Sequence, residues 1–326
     1  MDKRSTAKEV SMEPRVVVIG GSAGAIPILQ HIIPTLSMDI RAALFVVVHM
    51  APDSPGFLAD VLGRAGGPPV TKAQDGKQFE LANVYVAVPD HHLQIADGQM
   101  RLVHGPRENR SRPSIDPLFR TAARWYGKRV IAVLLSGLLD DGVAGLQAVK
   151  RAGGQVIVLD PSDTRFPQMP QNGIRYDHPD YVLGCDEIGP AIERLVREPI
   201  MNLDRDPNEP KREGQQKPSG YMCPDCGGCL FQTDESGGPP KFECWVGHAY
   251  SIKALLAAGS DALESALWAA VRSLEENAAL KRNAASSLFE ENQYSRRLRE
   301  DAASQEEHAK VLRSHILGVL TPSREP

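Results

Sequence analysis

A serine flanked by glycines is the first residue with an evident chemical use. The stretch Gly20-Gly21-Ser22-Ala23-Gly24 matches G-x-S-x-G between a short apolar run and an amphipathic stretch. Such a turn exposes a serine hydroxyl for attack on a carbonyl. The N–H groups near Ala23 and Gly24, at the predicted helix start, are suited to hold an oxyanion. A phosphate-binding turn is the competing interpretation, but neither the dinucleotide fingerprint nor the Walker pattern is matched.

Two further groups follow other apolar runs and complete a candidate triad. His49 follows the run Val46–Val48, and Asp140-Asp141-Gly142 follows the run Val130–Leu135. A lone histidine at a strand end is most often structural, and tandem acids before a glycine most often form a turn or a helix cap. Because the carboxyl ends of parallel strands meet in one crevice, the sequence favours Ser22 as nucleophile, His49 as base and an aspartate that orients the imidazole.

A second chemical group is a cluster of cysteines. Cys223-x-x-Cys226 is followed by Cys244-x-x-x-His248. This spacing fits tetrahedral zinc with no open coordination position, which predicts a structural metal and no cofactor for catalysis. Cys229 is either a replacement ligand or, as we favour, a bystander. A redox function for the C-x-x-C lacks a thioredoxin-like context, and Cys185 is predicted to be a buried core residue.

The elements that must position these groups alternate in type. Short runs rich in Val, Ile and Leu predict strands buried on both faces, with helical stretches between several of them. This alternation predicts a doubly wound α/β fold, with a mainly parallel sheet and helices on both faces. The predicted strands are Val16–Ile19, Leu44–Val48, Val84–Val88, Val130–Leu135 and Gln155–Leu159; the predicted helices are Ile26–Leu36, Pro55–Arg64, Ile115–Trp125 and Val143–Ala152; and His92–Ile95 with Met100–Val103 predict a hairpin.

Composition divides the 326-residue chain into five predicted regions. They are a disordered N-terminus (1–14), the α/β domain (15–200), a flexible linker (201–220), a zinc-ribbon-like module (221–250) and a helical tail (251–320). Residues 204–220 contain no aliphatic or aromatic side chain and cannot offset the entropy cost of ordering. A module of about thirty residues normally needs its metal to fold. The tail is predicted as one long helix or as a hairpin that turns near Asn283–Ser287, and its apolar stripe fits self-packing, dimerisation or docking.

Charge and composition exclude several classes of protein. The chain has 37 basic and 41 acidic residues, a net charge of −4, which argues against a nucleic-acid partner. No uninterrupted apolar run approaches the roughly 20 residues of a membrane span, and the N-terminus lacks a signal core. We therefore expect a cytoplasmic protein without membrane insertion. Arg107, Arg110 and Arg112 are interpreted as a solvated loop, with contact to an acidic partner helix as the alternative.

The three triad segments, in this order, resemble the catalytic domain of the chemotaxis protein-glutamate methylesterases. The resemblance implies that Ser22, His49 and Asp141 hydrolyse glutamate methyl esters on a chemoreceptor-type protein and release methanol. It also allows deamidation of glutamine by the same groups. Asp141 is preferred to Asp140 because it directly precedes the glycine of the family's Asn-Asp-Gly pattern. The resemblance covers roughly residues 15–197 and includes the segments Ala73–Gly76, Val84–His92, His104–Pro106 and Arg112–Phe119.

The chain departs from the family pattern in two turns and near its N-terminus. The family's Ser-Thr-Gly-Gly is Ser22-Ala23-Gly24-Ala25 here, and Leu139 replaces the middle glycine of the aspartate loop. That leucine could alter the path of the loop. Only about fifteen residues precede the first predicted strand, so we expect no N-terminal receiver domain and no control by an aspartyl phosphate in cis. The alternative function is a non-catalytic adaptor that uses the zinc module and the tail.

Overall fold

The computed structural model of the chain describes residues 13–200, 216–233, 240–287 and 293–320. It contains two compact units, Met1–Leu255 and Leu256–Pro326. The first unit holds the α/β domain and a small antiparallel sheet, and the second holds most of the helical tail. The predicted disordered N-terminus lies outside the described residues up to position 12.

Nine strands and six α-helices build the α/β domain. The strands are β1 (Arg15–Gly21), β2 (Ala42–Val48), β3 (Val70–Lys72), β4 (Val84–Val86), β5 (His92–Ala96), β6 (Gln99–Val103), β7 (Val130–Leu134), β8 (Gln155–Leu159) and β9 (Tyr181–Leu183). The helices are α1 (Ala25–Ile32), α2 (Leu58–Gly63), α3 (Ile115–Tyr126), α4 (Val143–Arg151), α5 (Gln168–Asp177) and α6 (Cys185–Arg197).

Seven of these strands form one parallel sheet in the order β3-β4-β2-β1-β7-β8-β9. All seven residues of β1 are buried, and its apolar side chains alternate between two cores. Val17 and Ile19 belong to one core, which includes α1 and α6, and Val16 and Val18 belong to the other, which includes α3 and α4. The predicted α/β class, with a mainly parallel sheet and helices on both faces, is confirmed. The predicted hairpin is β5–β6, which pairs antiparallel outside this sheet.

The structure differs from the predicted elements mainly at the edges of the sheet. Strands β3 and β9 and helices α5 and α6 were not predicted, and each of these strands has only three residues, too few for a clear pattern. α1 ends at Ile32 and continues as a 3₁₀ turn, because Pro34 lacks the N–H that another helical turn requires. Cys185 is half-buried rather than buried, because it opens α6 directly after the edge strand β9.

A four-stranded antiparallel sheet follows the α/β domain. Its strands are β10 (Gln216–Met222), β11 (Cys229–Thr233), β12 (Lys241–Cys244) and β13 (Ala249–Ser251), in that order. The predicted linker is wrong at its C-terminal end, since residues 216–220 belong to β10. Backbone pairing with β11 orders them although they carry few apolar side chains. Residues 201–215 of the predicted linker lie outside the described residues. The four strands and the described residues between them, in 216–233 and 240–251, are called the metal module below.

The tail contains two helices, α7 (Ile252–Ser286) and α8 (Gln293–Leu320). Two ion pairs show their direction: Lys281 pairs with Asp301, whereas Glu275, earlier in α7, pairs with Arg313, later in α8. The helices therefore run antiparallel, and the hairpin alternative is the one that the structure has. Their apolar seam contains Val271, Ala309 and Ile316, with Leu267, Trp268, Leu274 and Leu312 packed against it.

Among the described residues, α7 is long and apolar enough to cross a membrane by length and composition alone. Only 17% of its most apolar window is buried. A single helix of this kind is weak evidence for a membrane span, and the absence of membrane insertion stays a prediction.

Candidate active site and metal centre

The candidate active site lies at the point where the strand order reverses. β1 pairs with β2 on one side and with β7 on the other, and the chain leaves these strands toward opposite edges of the sheet. Gly21 and Val48 are in register, so the next residues, Ser22 and His49, emerge side by side at the carboxyl ends of β1 and β2. The loop after β7 supplies Asp141. Such a reversal opens a crevice in parallel sheets.

The Ser22 turn is held tightly but leaves its polar groups free. Ser22 N donates to the carbonyl of Ser136 (2.8 Å), and Ser136 Oγ donates to the carbonyl of Ala23 (2.6 Å). Among the described residues, the Ser22 hydroxyl and the N–H groups of Ala23 and Gly24 have no protein partner. A free hydroxyl beside two free donors at the start of α1 is the arrangement that acyl transfer requires.

The same turn depends on glycine at two positions. Gly24 has a φ of 77°, and a Cβ on it would lie 2.8 Å from Ser136 Oγ. A Cβ on Gly137 would lie 2.9 Å from the Cβ of Ser22 and 2.6 Å from Met169 Cε. Any larger residue at position 137 therefore displaces the serine or its neighbours.

His49 and Asp141 are in direct contact. His49 Nε2 lies 2.6 Å from Asp141 Oδ2, with the imidazole 20% exposed and the carboxylate 2% exposed. Because Nε2 is engaged by the carboxylate, Nδ1 is the nitrogen left to exchange a proton with a hydroxyl. The aspartate therefore fixes both the orientation and the tautomer of the ring.

Asp141 is buried as an anion among donors. Its oxygens accept hydrogen bonds from the N–H of Ile115 (2.7 Å), from Ser114 Oγ (2.9 Å) and from Asn109 Nδ2 (2.9 Å). Burial by itself would raise the Asp141 pKa, but the contact with His49 and these donors outweigh it and lower the pKa to about 2. Asp141 is thus ionised throughout the physiological range.

Asp140 faces away from the imidazole. Its Oδ1 accepts a hydrogen bond from Ser251 Oγ. Burial raises the Asp140 pKa, and the hydrogen bond from Ser251 and the positive charge of Lys253 partly oppose this rise. Of the tandem acids, the structure brings Asp141 and not Asp140 to His49, as the family pattern indicates. Leu139 adopts a φ of 61°, a left-handed conformation that glycine adopts without strain. The loop therefore accommodates the leucine in a glycine-like backbone conformation.

Two residues behind Asp141 were missed as site residues by the sequence analysis. Asp116 is 4% exposed, and its Oδ1 accepts a hydrogen bond from Gly145 N (2.7 Å). Burial and the nearby charge of Asp141 raise the Asp116 pKa to about 7. Asn109 donates to both acids, to Asp116 at 3.0 Å and to Asp141 at 2.9 Å. Asp116 lies in the segment Arg112–Phe119, which resembles the family, but Asn109 lies in a polar loop with no distinguishing local pattern.

The three loop arginines do not form one surface. Arg112 donates to Asp90 Oδ1 and to the carbonyl of Gly105, and its side chain is 14% exposed, so it ties the loop to the domain. Arg107 and Arg110 are exposed. The solvated-loop interpretation therefore does not hold for Arg112, because an acid four residues after β4 draws it inward.

The four predicted metal ligands lie together. The Sγ atoms of Cys223, Cys226 and Cys244 and a ring nitrogen of His248 are all within 4.8 Å of one another. Cys226 Sγ is 3.7 Å from Cys244 Sγ, and His248 Nδ1 is 3.5 Å from Cys244 Sγ. A tetrahedron with metal–sulfur bonds of about 2.3 Å has edges of about 3.8 Å, so the donor set fits a four-coordinate zinc ion.

The surroundings of these ligands also suit a metal. The backbone closes tight turns, from Gly227 N to the carbonyl of Cys223 (2.8 Å) and from Gly247 N to the carbonyl of Cys244 (2.8 Å). Burial raises the Cys244 pKa, but hydrogen bonds from His248, backbone and side chain, outweigh it and lower the pKa to about 7, which favours the thiolate. Cys229 is exposed and lies outside this four-residue group, in accordance with the bystander interpretation.

Comparison with known proteins decides the family. The family model described as CheB methylesterase matches residues 17–192, more than half of the chain. The chain belongs to the CheB methylesterase family. The match ends before the metal module and the helical tail, so both lie outside the methylesterase domain.

Individual relatives cover this methylesterase domain to different extents. The chain is 34% identical over 203 residues to the protein-glutamate methylesterase/protein-glutamine glutaminase 2 of Methanosarcina mazei, covering 60% of this chain and 55% of that protein. It is 35% identical over 185 residues to the putative protein-glutamate methylesterase/protein-glutamine glutaminase of Leptospira interrogans, covering 56% of this chain and 96% of that protein. The crystal structure of the Thermotoga maritima CheB methylesterase catalytic domain is similar with a TM-score of 0.54 at 34% identity, covering 56% and 98%. The chain thus spans about half the length of the Methanosarcina protein.

Proposed function

We propose that this chain is a serine esterase that hydrolyses glutamate methyl esters on a chemoreceptor-type protein. Ser22 is the nucleophile, His49 the general base, and Asp141 the group that orients the imidazole and stabilises its protonated form. The observation that carries the proposal is the contact of His49 Nε2 with a buried, ionised Asp141 beside the free hydroxyl of Ser22. The names of the relatives support the substrate class.

The reaction proceeds through an acyl-enzyme. Ser22 Oγ attacks the ester carbonyl carbon while its proton passes to His49 Nδ1, and the resulting oxyanion lies against the N–H groups of Ala23 and Gly24. Collapse breaks the bond to the methoxy oxygen, which takes the proton from His49 and leaves as methanol. Water then attacks the acyl-enzyme and gives a proton to His49, which passes it to Ser22 Oγ as the bond between the carbonyl carbon and Oγ breaks. The product acid loses its remaining proton to solvent and leaves as the glutamate carboxylate. Asp141 stays ionised and compensates the imidazolium in both steps.

The same groups are suited to glutamine side chains. In that reaction the proton on His49 passes to the amide nitrogen, and ammonia leaves in place of methanol. The names of the relatives include protein-glutamine glutaminase, which supports deamidation as a second activity of the same site.

The proposal also covers the metal module and the helical hairpin. Cys223, Cys226, Cys244 and His248 hold a structural zinc ion, and catalysis uses no metal. The methylesterase domain spans residues 15–200, and the helical hairpin is a surface for dimerisation or receptor docking. We propose a cytoplasmic enzyme whose partner is a methylated receptor, with neither nucleic acid nor membrane insertion involved.

Methanol release from a methylated receptor tests the esterase. Ser22→Ala should lower the rate by several orders of magnitude, because the members of a triad act as a unit. Ser37→Ala is the matched control, because Ser37 precedes the amino end of β2, whereas Ser22 follows the carboxyl end of the parallel strand β1. Equal methanol release by wild type and Ser22→Ala would refute the assignment. Receptor binding by a wild-type protein that releases no methanol would favour the adaptor.

A further inference from the structure

The last strand of the metal module lies against the loop before α3, which contains Asn109. Ala249 N donates to the carbonyl of Arg107, and Asn109 N donates to the carbonyl of Ala249 (2.8 Å), so β13 pairs with the loop before α3. All of these residues belong to the same compact unit as the triad.

Asn109 connects this strand to the triad. Its side-chain oxygen accepts a hydrogen bond from Ser251 N (3.0 Å), and its amide nitrogen donates to Asp141 Oδ1 (2.9 Å) and Asp116 Oδ2 (3.0 Å). Asn109 is 8% exposed, and its backbone φ is 48°. The Asn109 side chain therefore links β13, through its amide oxygen, to Asp141 and Asp116, through its amide nitrogen.

Two more contacts hold the neighbours of Asp141. Ser251 Oγ donates to Asp140 Oδ1 and accepts from Ala254 N (3.1 Å), which fixes its hydroxyl at the start of α7. Lys253 Nζ donates to Asn172 Oδ1, and Asn172 Nδ2 donates to the carbonyl of Leu139.

These contacts brace a strained segment. Leu139, Asp140 and Asp141 are each tied, directly or through one side chain, to residues 251–253. Among these three, Leu139 has a positive φ, a conformation that is strained in a non-glycine residue and persists where its surroundings hold it.

The position of β13 depends in turn on the metal ligands. His248 directly precedes Ala249, and its carbonyl accepts a hydrogen bond from Cys244 N (3.0 Å). Within the described part of the module the buried side chains are few, namely Cys223, Leu230, Phe242, Cys244, Ala249 and Tyr250. So small a core does not hold a sheet of this size without a metal.

We propose that the metal module positions Asp141 through Asn109 and Ser251, so that full esterase activity requires metal in the Cys223–His248 site. The inference rests on the proposed function of the triad. Asn109 and Ser251 are positioning residues, since neither touches the reacting atoms. A displacement of the carboxylate by about 1 Å is enough to lower a rate by roughly 10²-fold.

The test compares metal loss with loss of the Asn109 side chain in the full-length protein. Asn109→Gly removes the amide and tolerates the positive φ. With metal bound, this variant should show a kcat about 10- to 100-fold lower, an unchanged KM and unchanged metal content. Removing the metal from wild type by chelation should give the same loss, reversed by added Zn²⁺. Asn83→Gly, in the turn before β4, is the matched control.

The two losses should be less than additive, because they share the contact through Asn109. Metal removal from Asn109→Gly should therefore lower kcat by a smaller factor than it does in wild type, since only the connection through Ser251 Oγ remains to be lost. The inference is wrong if metal removal lowers the kcat of this variant by the same factor as wild type, or if stripped wild type keeps its kcat. Ser251→Ala keeps all four ligands and should lower kcat in the metal-bound protein; an unchanged value would remove Ser251 from the proposal.

A substrate-free signal separates this inference from the esterase assignment. In ¹⁵N-histidine-labelled protein, the Nε2 proton of His49 reports its hydrogen bond with Asp141. This signal should shift in Asn109→Gly and in stripped wild type, and should return with Zn²⁺. An unchanged signal in both would overturn the bracing, whatever the activity. Conversely, if Ser22→Ala releases methanol at the wild-type rate while the His49 signal shifts in Asn109→Gly and in stripped wild type, the esterase assignment fails and the bracing stands.

Discussion

Replacing Asp141 with asparagine is the sharpest perturbation of the proposed triad. Both carboxylate oxygens face donors: Oδ2 faces His49 Nε2 and Ile115 N, whereas Oδ1 faces Asn109 Nδ2 and Gly142 N. In either orientation, the new NH₂ group points at donors. If it faces the imidazole, Nε2 must become an acceptor, the ring proton moves to Nδ1, and the nitrogen that receives the Ser22 proton is lost.

The size of the effect follows from this geometry. A wrong tautomer costs about 10⁴-fold in kcat, equivalent to roughly 5 kcal/mol at 1.36 kcal/mol for each factor of ten. The folded protein also loses a carboxylate whose pKa is about 2 against an ordinary 3.8, which is worth on the order of 2 kcal/mol of stability at neutral pH. Because the pKa is lowered by folding, this stability is present above pH 3.8 and is lost as the pH falls toward 2.

The assay measures methanol release and thermal unfolding for Asp141→Asn. We expect kcat to fall by about 10³- to 10⁴-fold with KM nearly unchanged, and the difference in melting temperature from wild type to narrow below pH 4. Asp97→Asn is the matched control, because Asp97 is exposed in the β5–β6 turn at a φ of 49°, which asparagine tolerates. A folded Asp141→Asn enzyme within tenfold of the wild-type kcat would refute the assigned role.

Three further outcomes are expected. Gly137→Ala should lower kcat/KM by at least about tenfold, measured by methanol release, since the new methyl group overlaps the Cβ of Ser22. Cys226→Ser should lose bound zinc by atomic absorption whereas Cys229→Ser keeps it, and equal loss would place Cys229 among the ligands. Asp177→Asn should raise the melting temperature at pH 7.5 but not at pH 4. Burial raises the Asp177 pKa to about 6, and Oδ2 of the carboxylate has no hydrogen-bond partner among the described residues, so the charged form destabilises the fold as the pH rises from 3.8 through 6.

Much of the α/β domain could be predicted from local pattern. Each central strand is a run of branched apolar residues, because a strand covered on both faces has no polar side to interrupt it. The short edge strands β3 and β9 lack that signal. The end of the predicted linker was wrong for a related reason: residues 216–220 are ordered by backbone pairing with β11, which composition does not record.

The sequence by itself determined the chemistry that is available. G-x-S-x-G between a strand and a helix, a histidine at the next strand end, and C-x₂-C with C-x₃-H are local patterns, because turns and ligand pairs act over a few residues. Even the choice of Asp141 over Asp140 followed from its place directly before Gly142 in the family pattern.

Only the tertiary structure decided what surrounds that chemistry. Asn109 contacts Asp141, 32 residues later in the chain, and Ser251, 142 residues later. Contacts between such distant segments produce no recognisable pattern in the sequence. The same holds for Asp116, whose raised pKa results from burial beside a second acid. The sequence therefore predicts the proposed nucleophile, base and metal ligands, while the fold links the metal module to the aspartate loop.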